Sequence, residues 1–241
     1  MKKTQPTSST RRSQTPAVAS SSEVSEFLSR AKNLQRYTQG RSRLIFAIDA
    51  TASRQPTWDL ACSLQADMFR ASADVASLSI QLAFYRGMGE VTFTGWQNDP
   101  ENLAQTMSRV ACHAGRTQIG RLLSRAISAQ ARHEARALVF IGDAVEESEA
   151  HLTELAGRCR LLKMPLFLFQ EGRDPQVQDC FQAMARISGG AYAHFDMNSA
   201  ERLRELLGAV ARYAAGGRAA LENKRSPGSD LLLSQLPQAR D

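Results

Sequence analysis

The chain has 241 residues, of which 43% are hydrophobic and 22% are charged, and its formal net charge is +6. This length suits one well-buried domain with tails, and the sequence holds no apolar run long enough to cross a bilayer, which excludes a membrane span. Four basic residues before Glu23 supply most of the excess charge, and no basic stripe with interleaved aromatic residues follows. The charge therefore does not indicate specific nucleic-acid binding.

Residues 1–22 are rich in serine, threonine and proline and contain no acidic residue. This composition predicts a disordered, basic leader. It also resembles an organelle transit peptide, but it lacks the apolar face of one, and it lacks the apolar stretch of a secretory signal. The four cysteines lie far apart without a C-x-x-C pair, which favours free thiols. Together these features predict a cytoplasmic protein.

A short N-terminal helix is predicted over residues 23–40. Ser20 and Glu23 have the spacing of a capping box, apolar residues then recur at helical intervals, and Gly40 ends the helix. We expect the apolar face of this helix to pack on the chain's own domain.

Residues 43–214 alternate between predicted strands and helices. Buried parallel strands are indicated by largely apolar runs that start at Leu44, Ala137, Leu166 and Ala191. Two alternating segments joined by a turn over 86–89 predict a hairpin, whose second strand is antiparallel and lies at a sheet edge. Helices are predicted from Pro56 to about residue 69, over 100–112, 118–131 and 147–162, in a segment ending at Gly189–Gly190, and in a closing segment that stops at Gly216–Gly217. The fold class is therefore α/β: a three-layer, doubly wound, Rossmann-like sheet of six strands, mainly parallel with one antiparallel edge strand.

The predicted C-terminal tail, residues 215–241, contains the apolar motif Leu231–Leu236. An apolar run after a Ser-Pro-Gly linker either docks on a partner in helical form or packs back onto its own domain. The sequence leaves both interpretations open.

Ligands of doubly wound sheets bind beyond the carboxyl ends of the strands. The segment Asp49-Ala50-Thr51-Ala52-Ser53 follows the first buried strand, and its alternate positions 49, 51 and 53 can point to the same side. One carboxylate and two hydroxyls are hard oxygen ligands, which suit Mg²⁺ or Mn²⁺. The structural alternative for Thr51 and Ser53 is capping of the helix that follows.

Two further polar residues occupy comparable places. Thr117 lies in a loop that opens a helix, and Asp143 follows the second buried strand directly after Gly142. Taken singly, the threonine suits a helix N-cap and the aspartate suits a turn. The neighbouring His113 is expected to be an ordinary surface residue, and Glu146 and Glu147 are expected to favour the dipole of the helix that they begin.

Together these segments resemble the metal-ion-dependent adhesion site (MIDAS) of von Willebrand factor A (vWA) domains, in which D-x-S-x-S, a loop threonine and a later aspartate share one magnesium ion. The resemblance covers about residues 43–214, and within the family the chain is identified with the intracellular bacterial type. It implies a set of metal ligands in this chain: Asp49, Thr51, Ser53, Thr117 and Asp143. Thr51 replaces the more usual serine and keeps the hydroxyl, and Ala144 replaces a glycine that often follows the last aspartate.

The resemblance also implies a function. Such a ligand set leaves one coordination position of the ion open, and in the family an Asp or Glu carboxylate of a partner protein fills that position. We therefore expect a Mg²⁺-dependent (or Mn²⁺-dependent) protein-binding module, an adaptor or regulator in a bacterial complex. The family further implies an AAA-type ATPase, or its complex, as the class of partner.

Two alternatives differ from this hypothesis. A metal-dependent phosphohydrolase of the haloacid dehalogenase type also places aspartates after these strands, but it needs a second acid where Thr51 stands, and no lysine occurs between residues 50 and 142. We therefore predict that the chain is not an enzyme. The other alternative is a degenerate vWA scaffold without metal dependence.

Overall fold

The computed structural model describes residues 42–72, 78–133, 135–196 and 200–238, without the side chains of residues 53, 65–72 and 131–133. The predicted leader and the predicted N-terminal helix lie outside these residues. The strands are β1 (Ser42–Asp49), β2 (Leu78–Arg86), β3 (Glu90–Gln97), β4 (Ala137–Gly142), β5 (Leu166–Glu171) and β6 (Ala191–Phe195). The helices are α1 (Gln55–Ser72), α2 (Pro100–Ser108), α3 (Ile119–His133), α4 (Glu149–Leu161), α5 (Pro175–Ser188), α6 (Ala200–Asn223) and α7 (Pro227–Gln235). A 3-10 turn, Ala52–Arg54, separates β1 from α1.

The six strands form one sheet in the order β3-β2-β1-β4-β5-β6. The pair β2–β3 is antiparallel, and every other neighbouring pair is parallel. The predicted fold class is confirmed, including the antiparallel strand at one edge. The chain order reverses between β1 and β4, so the carboxyl ends of these two strands flank the crevice in which such sheets bind ligands.

Apolar side chains cover both faces of the sheet. One core cluster joins the sheet to α1, α2, α6 and α7, and the other joins it to α3, α4 and α5. The run from Leu44 to Ile48 is at most 2% exposed, because its alternate residues enter the two clusters in turn. This arrangement explains why the central strand is a continuous apolar run rather than an alternating one.

Side-chain caps and glycines fix several helix ends. The carboxylates of Asp99 and Asp174 accept backbone N–H groups in the first turns of α2 and α5. Helix α5 ends at Ser188, and the glycine that caps it, Gly189, has a φ of +79°, which turns the chain towards β6. Helix α4 begins at Glu149, two residues later than predicted, because residues 143–148 form a loop that is bonded to another part of the domain.

The C-terminal segment continues the domain. Gly217 interrupts α6 with a φ of +67°, at the predicted stop, but the chain resumes a helical path to Asn223. Leu232 and Leu233 of α7 are buried in the core cluster beneath one face of the sheet. The apolar motif Leu231–Leu236 therefore packs on its own domain, which is one of the two interpretations that the sequence leaves open.

Helix α7 also covers an edge of the sheet. The carboxamide of Gln235 accepts the backbone N–H of Tyr192 at 2.9 Å and donates to the backbone carbonyl of the same residue at 2.8 Å. Tyr192 lies on β6, the outermost strand, so one side chain satisfies both backbone groups of an edge residue. Among the described residues, no helix is long and apolar enough to span a bilayer.

Candidate metal centre

Acidic residues end or follow three neighbouring strands. Asp49 is the last residue of β1, Asp143 follows β4, and Glu171 is the last residue of β5. Because these strands are parallel neighbours, their carboxyl ends lie side by side. The structure therefore brings Asp49 and Asp143 to one edge of the sheet, as the sequence predicts, and adds Glu171, which the sequence reasoning missed.

Asp49 is a buried carboxylate that is 1% exposed. Its Oδ1 accepts the backbone N–H of Thr51 at 2.7 Å, and its Oδ2 accepts the hydroxyl of Tyr85 at 3.1 Å. Burial raises the pKa of Asp49, hydrogen bonds from Thr51 and Tyr85 oppose that rise, and the charge of Asp143 adds to it. Among the described residues, no basic side chain forms an ion pair with the Asp49 carboxylate. Within this part of the chain, the carboxylate is therefore buried without a counter-charge, a situation that a bound cation would resolve.

Tyr85 supports this carboxylate from β2. The side chain is completely buried, and burial next to the charge of Asp49 holds the pKa of Tyr85 well above its usual range. The phenol therefore remains a hydrogen-bond donor at neutral pH. The alternating pattern of β2 predicts which residues share a face, but it does not indicate that this one reaches Asp49.

The segment after Asp49 turns sharply into the 3-10 turn. Thr51 is buried and hydrogen-bonds to Asp49 through its side chain as well as its backbone. Its side chain forms no capping bond to the turn that follows, so the helix-cap alternative does not describe Thr51. The side chain of Ser53 lies outside the described part of the structure, and its role as a ligand stays a prediction.

Thr117 is tied to the loop after β4. Its hydroxyl accepts the backbone N–H of Glu146 at 2.9 Å, and its own N–H donates to the Glu146 carboxylate at 2.8 Å. The carboxylate of Glu147 accepts the N–H groups of Ile119 and Gly120 at the start of α3. Glu147 therefore caps the first turn of α3, and Glu146 bonds to the loop that precedes α3. The helix that follows them begins only at Glu149, so the expectation that they favour its dipole was wrong. The two acids hold the loops of Thr117 and Asp143 together.

Gly115 allows the Thr117 loop to pass close to the β2–β3 hairpin. A Cβ at Gly115 would lie 2.0 Å from the backbone oxygen of Gly87. The loop is anchored on the other side by His113, whose N–H donates to the carbonyl of Ala50 at 3.0 Å. The Thr117 loop thus lies between the end of β1 and the hairpin, with no room for a side chain at residue 115.

Replacing Gly115 with alanine is expected to displace this loop, lowering the free energy of unfolding by about 2 kcal/mol and weakening metal binding. Chemical denaturation and titration calorimetry with Mn²⁺ would measure the two effects. Gly95→Ala is the control, because nothing lies within 4 Å of a Cβ at Gly95. Equal stability and metal affinity of the two variants would contradict the described approach of the loop to Gly87.

Arg54 is a buried cation beside this ligand set. The residue is 3% exposed, and its Nη1 lies 3.3 Å from Oδ2 of Asp143. Its Nη2 donates to Oγ1 of Thr57 at 2.7 Å and to the carboxylate of Glu171, which also accepts the Thr57 hydroxyl. The ion pairs border a cavity of about 250 Å³, which is lined by Arg54, Asp143, Glu171, Gly172 and Asp196. The sequence does not indicate which of the arginines of a chain is buried. The sequence analysis therefore did not identify Arg54.

The donor chemistry fits a hard divalent cation. Two carboxylates, Asp49 and Asp143, and the hydroxyls of Thr51 and Thr117 are oxygen donors of the kind that Mg²⁺ and Mn²⁺ prefer. No cluster of three or more His, Cys, Asp or Glu side chains in the described ranges is arranged to hold a metal. Any ion at this site would therefore depend on hydroxyls and water in addition to the two carboxylates.

The cysteines are all free thiols. Burial raises the pKa of Cys62, Cys112 and Cys180 to about 11 and that of Cys159 to about 12. Each thiol therefore stays protonated at neutral pH, a state that neither attacks substrates nor binds metals well.

No protein-family model and no curated protein sequence matches the chain. Among solved structures, the SpRpn10 VWA domain superposes with a TM-score of 0.55 at 12% identity, covering 68% of this chain and 95% of that one. BatB from Bacteroides thetaiotaomicron gives a TM-score of 0.52 at 16% identity over 68% of this chain and 95% of its own.

Proximal thread matrix protein 1 from the mussel byssus, in a form with a zinc-occupied MIDAS motif, has a TM-score of 0.56 at 13% identity. The superposition covers 71% of this chain and 46% of the mussel protein. At sequence identities this low, a superposition supports a shared fold and does not support a shared function. Strand order, the antiparallel edge and these superpositions agree: the chain has the von Willebrand factor A fold.

Proposed function

We propose that this chain is a protein-interaction module that holds Mg²⁺ at the carboxyl ends of β1 and β4 and binds a carboxylate of its partner there. The buried carboxylate of Asp49 supports the proposal most directly, because no described basic residue neutralises it. Asp143 and Thr117 lie on the loops beside it, and the two loops are joined by the reciprocal hydrogen bonds of Thr117 and Glu146.

The ligand set also favours an open site. Asp143 is partly exposed, with 35% of its side-chain surface accessible, whereas Asp49 and Thr51 are buried. When bound, a divalent ion would supply positive charge and a coordination position that faces solvent, and an Asp or Glu side chain of another protein is the hard anionic ligand that suits it. In this proposal the chain's own residues hold and orient the ion, and the chain is not an enzyme.

Mg²⁺ or Mn²⁺ is the metal that we propose. A zinc ion occupies the MIDAS motif of the mussel protein, but the donors here are oxygens, and zinc prefers sites with nitrogen or sulfur ligands. We extend the proposal to an adaptor or regulator in a bacterial cytoplasmic complex, with an AAA-type ATPase as the partner class.

Affinity capture from native lysate tests the function. The wild-type chain is used as bait in Mg²⁺, beside Asp49→Asn and a control, Asp179→Asn, that removes an exposed carboxylate from α5. We expect at least one protein to be retained by the wild type and the control, released by a chelator, and absent from the Asp49→Asn bait. We expect this loss because Asp49 is the most buried carboxylate of the proposed ligand set.

The captured protein is then mutated at its acidic residues, and loss of binding would identify the carboxylate that meets the ion. Retention of the same proteins by all three baits, with or without chelator, would contradict the proposal and favour a vWA scaffold without metal dependence. Turnover of a general phosphomonoester that requires Mg²⁺ and Asp49 would favour the phosphohydrolase instead.

A further inference from the structure

Arg54 is held unequally by its two acidic partners. On one side, its Nη2 meets both the Glu171 carboxylate and the Thr57 hydroxyl, and Thr57 itself donates to Glu171. On the other side, Nη1 lies 3.3 Å from Asp143, longer than the roughly 2.8 Å of a strong charge-assisted hydrogen bond. The side chain of Asp143 is also more exposed than that of Glu171, at 35% against 15%. The guanidinium is therefore anchored to Glu171 and Thr57 and only loosely paired with Asp143.

The carboxylate of Asp143 can therefore interact with two cations. It is a proposed ligand of the divalent ion, and it is the weaker partner of a buried arginine. Asp49, Asp143 and Glu171 with Arg54 carry a net charge of −2, which one divalent cation neutralises. If Arg54 moved fully to Asp143, the ligand set would keep the effective charge of Asp49 alone, and its attraction for a divalent ion would fall.

We propose that Arg54 competes with the divalent ion for Asp143, and that Thr57 and Glu171 weaken this competition by holding the guanidinium away from Asp143. The three residues thus set the metal affinity of the site without being ligands themselves. This inference rests on the proposed metal binding and concerns its regulation: a change that loosens Arg54 from Glu171 lowers the affinity for metal.

Two substitutions have opposite expected effects. Arg54→Gln removes the competing cation, so the affinity for Mg²⁺ rises by about tenfold. Thr57→Val has no effect on net charge and nearly preserves side-chain volume, but it removes a hydroxyl that holds both Arg54 and Glu171, so the affinity falls by about threefold. In the double variant, Thr57→Val has no further effect, because the competitor is already absent.

Titration calorimetry of the full chain with Mg²⁺ alone, repeated with Mn²⁺, provides the measurement, and thermal melting in chelator checks that each variant folds. Arg116→Gln is the matched control: Arg116 is exposed and adjoins Thr117 in sequence, and its loss is expected to change the affinity by less than about twofold. If Arg54→Gln fails to fold, the fall caused by Thr57→Val still tests the proposal.

Unchanged or weaker metal binding by a folded Arg54→Gln variant would overturn the competition while leaving the metal-dependent function intact. An equal loss from Thr57→Val with and without Arg54 would overturn it as well. Binding by Arg54→Gln but not by the wild type would support the competition and contradict metal dependence of the natural chain. If none of the folded variants bound either ion, both the competition and the metal-dependent function would be wrong.

Discussion

Asp49→Asn is expected to lower the affinity for Mg²⁺ by at least about 100-fold, because it removes the charge of the most buried proposed ligand. The metal-free chain should keep its stability or gain about 1 kcal/mol, since a buried carboxylate that has no ion-pair partner among the described residues costs free energy. The new amide can still accept the N–H of Thr51 and donate to the hydroxyl of Tyr85, so the local hydrogen bonds have replacements.

Calorimetry with Mg²⁺ and thermal melting in chelator would measure the two effects on the same sample, and Asp179→Asn serves as the control on the surface of α5. The combination of lost metal binding and retained stability separates a ligand from a structural carboxylate. A metal affinity within about threefold of wild type would contradict the role of Asp49, whereas a large loss of stability in chelator would assign it a structural role instead.

Gly190→Ala is expected to be the most damaging single substitution among those considered, lowering the free energy of unfolding by more than about 4 kcal/mol. A Cβ at Gly190 would lie 1.9 Å from the backbone oxygen of Leu166 and 2.8 Å from its nitrogen. Both atoms belong to Leu166, a fully buried residue of β5, so neither can move without disturbing the pairing of β5 with its neighbours β4 and β6. Most of the variant should therefore be unfolded.

Gly157→Ala provides a control with the opposite sign. Gly157 is inside α4, and the nearest atom to an added Cβ there is a methyl group of Ile187 at an ordinary 3.8 Å. Alanine should stabilise this helix by about 0.5–1 kcal/mol relative to glycine. Urea denaturation of the two variants beside the wild type is the measurement, and a stability of Gly190→Ala within 1 kcal/mol of wild type would contradict the described packing of β6 against β5.

The fold was largely predictable because its signals are local and repeated. In β1, β4 and β5 consecutive residues are apolar, which indicates strands that are covered on both faces, because a half-buried strand would alternate apolar and polar residues. The alternation in β3 indicates an edge strand. Helix limits were less accurate where a tertiary contact decides them. Residues 143–148 have helical composition, but the bonds of Glu146 and Glu147 to the Thr117 loop and to α3 keep them in a loop.

The candidate site was predictable only where a rule about strand ends applied. That rule identifies Asp49 and Asp143, and applied to β5 it would also have identified Glu171. Arg54 and Tyr85 are different, because their importance comes from burial against residues more than 30 positions away in sequence. A single sequence does not show which distant residues are in contact. The ion pair of Arg54 with Asp143 and the hydrogen bond from Tyr85 to Asp49 could therefore be identified only from the structure.

The carboxamide of Gln235 has a consequence for how other molecules can approach. A strand at the margin of a sheet normally offers unpaired N–H and C=O groups to any extended peptide, which leads to strand addition, swapping or aggregation. On β6, the backbone groups of Tyr192 that would start such pairing are already engaged by α7. A peptide that extended the sheet on this side would first have to displace α7 and expose Leu232 and Leu233. Strand addition at Tyr192 of β6 is therefore disfavoured while α7 stays in place.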